Sequence, residues 1–255
     1  MVGDSLKAKN NGFTLVEMSI VLVIIGLIIG GVFAGQNLVK QARLRAVITE
    51  QDQIKQAVNA YRLRFNALPG DDYNAFSYFR EKCARNADEC NGNGNRKIEA
   101  NGLNEREVET YRFWQHLNLA EVYPGSFTGT GTSNVGSSLE GIMGTNIPAS
   151  KIKSVGITAI YEDSGAKAYG KHTGNIIIFG GQVPGQLAFA PMFSVQDAYA
   201  LDAKADDGKP GEGMMRAVGT AGISDTDCID VSNNQGLYNF RSEKANACGL
   251  AFILD

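Results

Sequence analysis

Four groups of residues in this chain have types and spacings that could do chemistry. The first is four cysteines, Cys83, Cys90, Cys228 and Cys248. They form two sequence-local pairs without a CxxC spacing. The two histidines, His116 and His172, lie near no cysteine in sequence, so a zinc site is not expected. In an oxidising compartment two disulfides are the natural outcome. Of the three pairings, 83–90 with 228–248 is favoured because both close short loops; four buried free thiols is the competing reading. The second group is "ECNGNGNRKIE" at 89–99, where Asn91, Asn93 and Asn95 alternate and Ile98 stands where calcium loops often carry an apolar residue. Oxygen ligands at alternate positions suit Ca2+. All three are neutral amides, however, and Gly102 occupies the place of the bidentate Glu, so Glu89, Glu99 or Glu105 would have to substitute. The alternative is a Gly/Asn-rich turn beside the Cys83–Cys90 loop, with no cofactor. Asp202, Asp206 and Asp207 form the third group, with Asp202 and Asp206 one helical turn apart. Helix capping, a solvated charge cluster and a second metal site all fit them. The fourth is one carboxylate, Glu17, near the start of "NNGFTLVEMSIVLVIIGLIIGGVFAG" (10–35).

That run sets the elements that must carry these groups. From Phe13 to Gly35 a helix would measure about 35 Å, enough for a hydrocarbon layer of about 30 Å. A carboxylate inside such a span costs up to about 3 kcal/mol, less near the interface. Glu17 therefore either snorkels at the membrane edge or has a partner. The run is preceded by Lys7 and Lys9, and no small-residue cut site follows it, so it is not expected to be removed as a secretory signal. Lysines and arginines flank both sides (Lys7, Lys9; Lys40, Arg43, Arg45), so charge alone does not orient it. Gly26/Gly30 and Gly31/Gly35 have GxxxG spacing, which permits close helix packing. Glycine is also common in membrane helices, and it loosens a helix by about 1 kcal/mol per residue.

The helix pattern continues through 36–65 without Pro or Gly. Val47, Ile54, Val58, Tyr61 and Phe65 mark one face, while Arg43, Arg45, Glu50, Asp52, Lys55, Arg62 and Arg64 are read as mostly off it. Leu68-Pro69-Gly70 is the expected stop. Further on, 104–122 reads as a helix opened by an Asn104/Glu107 capping box, with Trp114 in its apolar face. Strands are expected at 154–162 and 174–181, a short helix at 194–208, and further strands around "GMMRAVG" and the terminal "GLAFILD". The fold class is α+β: a long N-terminal helix packed on an antiparallel sheet.

Composition excludes several function classes. Charged residues are 20% and the formal net charge is −3; removing 1–12 (Asp4, Lys7, Lys9, sum +1) leaves −4. Neither value suggests bulk attraction to nucleic acid or anionic lipid. No nucleophile elbow, P-loop, dinucleotide fingerprint or HExxH occurs, so no catalytic site and no enzyme activity are expected.

"GFTLVE" at 12–17, followed by the uncharged run, resembles the prepilin leader of type IV pilins and type II secretion pseudopilins: a small residue, a cut, Phe, then Glu at the fifth mature position, then the span. The resemblance covers roughly 7–65. A second stretch, "YALDAKADDGKPGEGMMRA" (199–217), resembles C-terminal segments of some minor pilin-like proteins. The resemblance implies that a prepilin peptidase/methyltransferase cuts after Gly12 and methylates the amine of Phe13. The subunit would then join other pilin or pseudopilin subunits in a filament, through an assembly platform of the bacterial inner membrane. It implies four segments: 1–12 a cleaved leader, 13–35 a single membrane-spanning helix, 36–68 its amphipathic continuation, and 69–255 a periplasmic pilin-like domain. Cleavage converts a neutral amide at Phe13 into an amine that is cationic near neutral pH. That cation could pair with Glu17 of a neighbouring subunit. The span lacks the proline that many major pilins carry, which inclines the reading to a minor subunit. Two rivals stand beside it: a filament-mounted module that recognises a surface, sugar or DNA, and a single-span protein that never polymerises.

Overall fold

Fifty-one residues without a proline, the last 30 also without glycine, form one helix, α1 (Leu15–Phe65). In the computed structural model, which describes residues 13–100, 108–131, 140–163, 172–218, 227–230 and 236–254, α1 stops three residues before the expected Leu68. Asn66 takes a left-handed conformation (φ 53°), which asparagine tolerates better than most residues. The chain separates into two units, Met1–Ala42 and Arg43–Asp255.

In the first unit the large apolar side chains are exposed, Leu27 to 73%. A helix that is apolar all round has no face on which to build a core with itself. Its segment is long and apolar enough to cross a membrane.

In the second unit α1 buries Leu44, Val47, Ile54, Val58 and Tyr61, with Phe65 partly buried. Glu50 corrects the sequence reading. It is not off this face but on it, only 5% exposed, since the steps from Val47 to Glu50 to Ile54 follow the helical stripe. Its carboxylate accepts hydrogen bonds from Ser150 Oγ at 2.6 Å and Lys151 N–H at 3.3 Å. These replace the water that burial removes.

Beyond α1 the order is α2 (Ala75–Phe79), a 3-10 turn (Arg80–Lys82), α3 (Ala87–Cys90), α4 (Glu109–Leu119), β1 (Val155–Glu162), β2 (Gly174–Gly181), α5 (Val195–Ala205), β3 (Met215–Val218), β4 (Ile229–Asp230), β5 (Leu237–Tyr238) and β6 (Gly249–Ile253). Four strands form an antiparallel sheet in the order β1-β2-β6-β3, and β4 pairs with β5 in a separate two-stranded piece. The architecture is therefore α+β. Register places Ile157 opposite Phe179 and Ile177 opposite Phe252. β2 is buried at every position, which explains its unbroken Ile-rich run: a strand covered on both faces need not alternate. On one side residues 188–189 lie so close that a Cβ at Gly180 would sit 2.5 Å from Ala188 O. The open edge of β1 is covered by residues 148–150, through Ile157 N–H to Pro148 O and Ser150 N–H to Val155 O, which blunts a strand edge.

α4 approaches β1, and α5 approaches β3. Helix α4 is buried from Glu109 to Leu117, more completely than its apolar periodicity implied. Trp114 is core, with ring centroids 4.8 Å from Phe113 and 5.3 Å from Tyr123. The expected Asn104/Glu107 capping box lies outside the described residues. Tyr61 of α1 stacks on His116 of α4 (6.0 Å, 10°) and donates to Asp72 at 2.9 Å.

Candidate functional site

The start of α1 shows why Glu17 sits where it does. Thr14 immediately precedes the helix. Its Oγ1 accepts the Glu17 N–H at 3.2 Å, while Glu17 Oε2 accepts both the Thr14 N–H and the Thr14 hydroxyl at 2.8 Å. This is a reciprocal capping box. It satisfies donors that a helix start leaves unpaired and places a negative charge at the positive end of the helix dipole. The signal was readable as Thr-x-x-Glu at 14–17, and it supplies a third role for Glu17 beside snorkelling and pairing. The donor next upstream of Thr14 is the nitrogen of Phe13; Gly12 lies outside the described residues. Gly26, Gly30, Gly31 and Gly35 are open: a Cβ at any of them would meet nothing within 4 Å.

In the second unit disulfides join Cys83 to Cys90 and Cys228 to Cys248, with Cα separations of 5.6 and 5.0 Å. His116, distant from the cysteines in sequence, is brought against the first of these by the fold. Its Nδ1 accepts the Gly70 N–H at 3.0 Å, which leaves Nε2 protonated and donating to Cys90 O at 3.0 Å. Burial pushes its pKa down to about 3. The histidine is thus a neutral strut with both nitrogens engaged.

The 91–99 loop is organised by carboxylates that the sequence reading did not single out. Asp71 Oδ1 accepts the N–H groups of Gly94 (2.6 Å) and Asn95 (3.1 Å), and its Oδ2 accepts that of Arg96. Glu109 accepts the Asn93 N–H at 3.0 Å and the Glu99 N–H at 2.9 Å. Burial pushes the Glu109 pKa up to about 7 against these bonds, and raises that of Asp71. The amide oxygens expected as ligands each accept a backbone N–H. Asn91 Oδ1 accepts the Phe76 N–H, Asn93 Oδ1 the Asn95 N–H and Asn95 Oδ1 the Lys97 N–H. The Nδ2 groups of Asn93 and Asn95 both donate to Glu99 Oε2, at 2.8 and 2.7 Å.

Asp202, Asp206 and Asp207 do come together, and each binds the protein. Buried Asp202 accepts Tyr238 OH at 2.8 Å and Gly208 N–H at 3.2 Å. Asp206, which ends α5, accepts the Met214 and Met215 N–H groups. Asp207 accepts the Lys209 N–H at 2.8 Å. These bonds tie the 206–215 turn to the sheet. Burial pushes the Asp202 pKa up to about 6.

Neither the comparison with characterised proteins nor that with solved structures gives a match. A family model does match: the prokaryotic N-terminal methylation motif, over residues 7–33. That range holds Gly12, Phe13, the Thr14–Glu17 box and most of the apolar helix. The chain carries at its N-terminus the prepilin-type motif of type IV pilins and pseudopilins.

Proposed function

We propose that this chain is a structural subunit, a minor pilin or a pseudopilin, of a type IV pilus or type II secretion filament, and not an enzyme. The observation that carries the reading is the methylation motif laid directly over a capped, exposed apolar helix. A prepilin peptidase/methyltransferase removes residues 1–12 by cutting after Gly12 and methylates Phe13. The C-terminal unit folds on the periplasmic side of the inner membrane, where its two disulfides can form. The exposed helix then moves from lipid into the filament core, with the Gly26/Gly30 and Gly31/Gly35 pairs, on different sides of the helix, available for close helix contacts.

The capping box gives this assembly a stepwise electrostatic logic. Before cleavage Glu17 is held by its own Thr14. Cleavage creates a cationic amine at Phe13, one residue from that bond. In the filament an adjoining subunit's Phe13 amine offsets the Glu17 charge in a medium with no water to do so. The absence of proline in the span favours a minor subunit.

The test is N-terminal sequencing by mass spectrometry of membrane-extracted protein, combined with filament incorporation. A start at N-methyl-Phe13 is expected. Glu17→Ala is expected to be processed normally but to enter filaments at least about tenfold less well, the scale of a charge left unpaired in lipid. An intact residue 1–12 segment, or undiminished incorporation of Glu17→Ala, rejects the reading.

A further inference from the structure

The end of α1 forms one wall of a cavity of about 490 Å3, within the range of small-molecule sites, roughly 300–1,000 Å3. Two guanidinium-bearing residues line it, Arg62 and Arg96, with the exposed ring of Tyr73 and the amide of Asn66. Its rim is held in place. Asp71, itself buried, accepts the backbone N–H groups of Gly94, Asn95 and Arg96. On the other side of Arg96, Asn175 Nδ2 donates to its carbonyl at 2.9 Å. Arg96 is thereby fixed in a left-handed conformation (φ 65°), one that non-glycine residues adopt at a cost of about 1–3 kcal/mol. Gly94 (φ 78°) lets the chain pass against Tyr73, where a Cβ would lie 3.2 Å from the ring. Arg96 is exposed and makes no ion pair among the described residues. The protein thus holds a cation, an aromatic face and an amide around one opening, on a rim fixed before any ligand arrives.

We propose that this cavity binds a carboxylated saccharide. A guanidinium pairs with a planar carboxylate through two parallel hydrogen bonds. The Tyr73 ring offers a face for the C–H side of a sugar ring, and Asn66 both donates to and accepts from hydroxyls. One feature disfavours a nucleic acid: among the described residues two cations line the cavity, too few to track a phosphate chain. An acidic peptide would use Arg96 but leave the aromatic face and the amide without a matched partner. The site lies wholly within Arg43–Asp255 and does not depend on cleavage at Gly12. Failure of the filament reading would therefore leave it standing, and its own failure would leave the filament reading standing.

Binding is measured on the full processed chain in detergent, by calorimetry or interferometry, with trigalacturonate as probe. Neutral maltotriose, a short single-stranded oligonucleotide and oligoglutamate serve as comparators. Trigalacturonate is expected to bind tightest, and salt to weaken it. Arg96→Ala should lower its affinity at least about tenfold, and Arg96→Lys less, because a lysine keeps the charge but not the paired geometry. Tyr73→Ala should cost about fivefold, and Arg80→Ala, outside the cavity, nothing. Both Arg96 and Tyr73 are exposed, so the variants keep the fold, and a thermal melt checks it. Trigalacturonate binding no better than maltotriose, binding indifferent to Arg96→Ala and Tyr73→Ala, or preference for the oligonucleotide or oligoglutamate would overturn the proposal.

Discussion

Glu17 and Glu50 sit on the same helix and meet opposite circumstances. Around Glu17 the helix is apolar on every side, and every large apolar side chain from Leu15 to Val39 is exposed. Among the described residues its carboxylate bonds only within the first turn of its own helix. Around Glu50 the apolar residues narrow to a stripe, the stripe is covered, and the carboxylate reaches residues 100 positions away. A narrow stripe can be buried by the chain's own domain. A cylinder that is apolar all round can be satisfied only from outside, by lipid or by other helices. The N-terminal stretch thus declares a need for partners, and the later stretch declares a domain.

Making the same substitution in both stretches is the sharpest way to break that contrast, and should give the largest effect. Ile54, 1% exposed, and Ile24, 50% exposed, are both on α1. Ile54→Ala should cost the domain about 2–5 kcal/mol. Ile24→Ala should leave chemical denaturation of Arg43–Asp255 unchanged, and any loss it causes should appear in filament incorporation. Equal losses in both variants would mean that the two stretches share one core.

Titration gives the next effect. The folded-state pKa of Glu109 is pushed up to about 7 from an ordinary 4.5, so the folded protein holds a proton that the unfolded chain has released. Stability therefore falls as pH rises from about 4.5 to 7 and is flat above. Asp202, raised from 3.8 to about 6, has the same sign over its own window. His116 has the opposite sign: its folded pKa lies below its unfolded 6.5, so its contribution is full above pH 6.5 and declines as pH falls toward 3. Replacing Glu109 by Gln should remove one slope and leave the histidine's. Relative to the parent, the variant should gain about 2 kcal/mol between pH 4.5 and 7.5, read from urea midpoints at each pH. A constant difference across that range would contradict the assignment.

Glu50→Gln removes a charge while keeping the shape. It should destabilise the domain by about 1–2 kcal/mol, because two charge-assisted bonds become weaker neutral ones. It should not alter processing or incorporation, where Glu17→Ala acts. Smallest of all should be the response to calcium. The 91–99 loop is already closed by Asp71, Glu109 and its own amide bonds. Millimolar calcium and a chelator should therefore give melting temperatures within about 2 °C of one another. A larger rise with calcium, abolished by Asn93→Ala, would support ion binding by Asn91, Asn93 and Asn95.

Several elements were legible in the residues because their causes are local. The Ile-rich run at 174–181 is bounded by glycines and became β2 at those limits, and 154–162 became β1 from Val155. Long α1 follows from an absence of proline, and the prepilin-type motif is a contiguous string. The Thr14–Glu17 box was equally local and equally readable.

What only the tertiary structure decided was the fate of polar groups whose partners are remote in sequence. Glu50 is buried because Ser150 and Lys151 meet it, His116 is neutral because the fold buries it and sets the Gly70 N–H on its Nδ1, and Asp71 builds the Gly94–Arg96 rim from more than 20 residues away. Hydrophobic periodicity and chain breakers act over one or two turns, so sequence spacing reports them. The cost of burying a charge depends on which donors the rest of the fold delivers, and spacing carries no record of that.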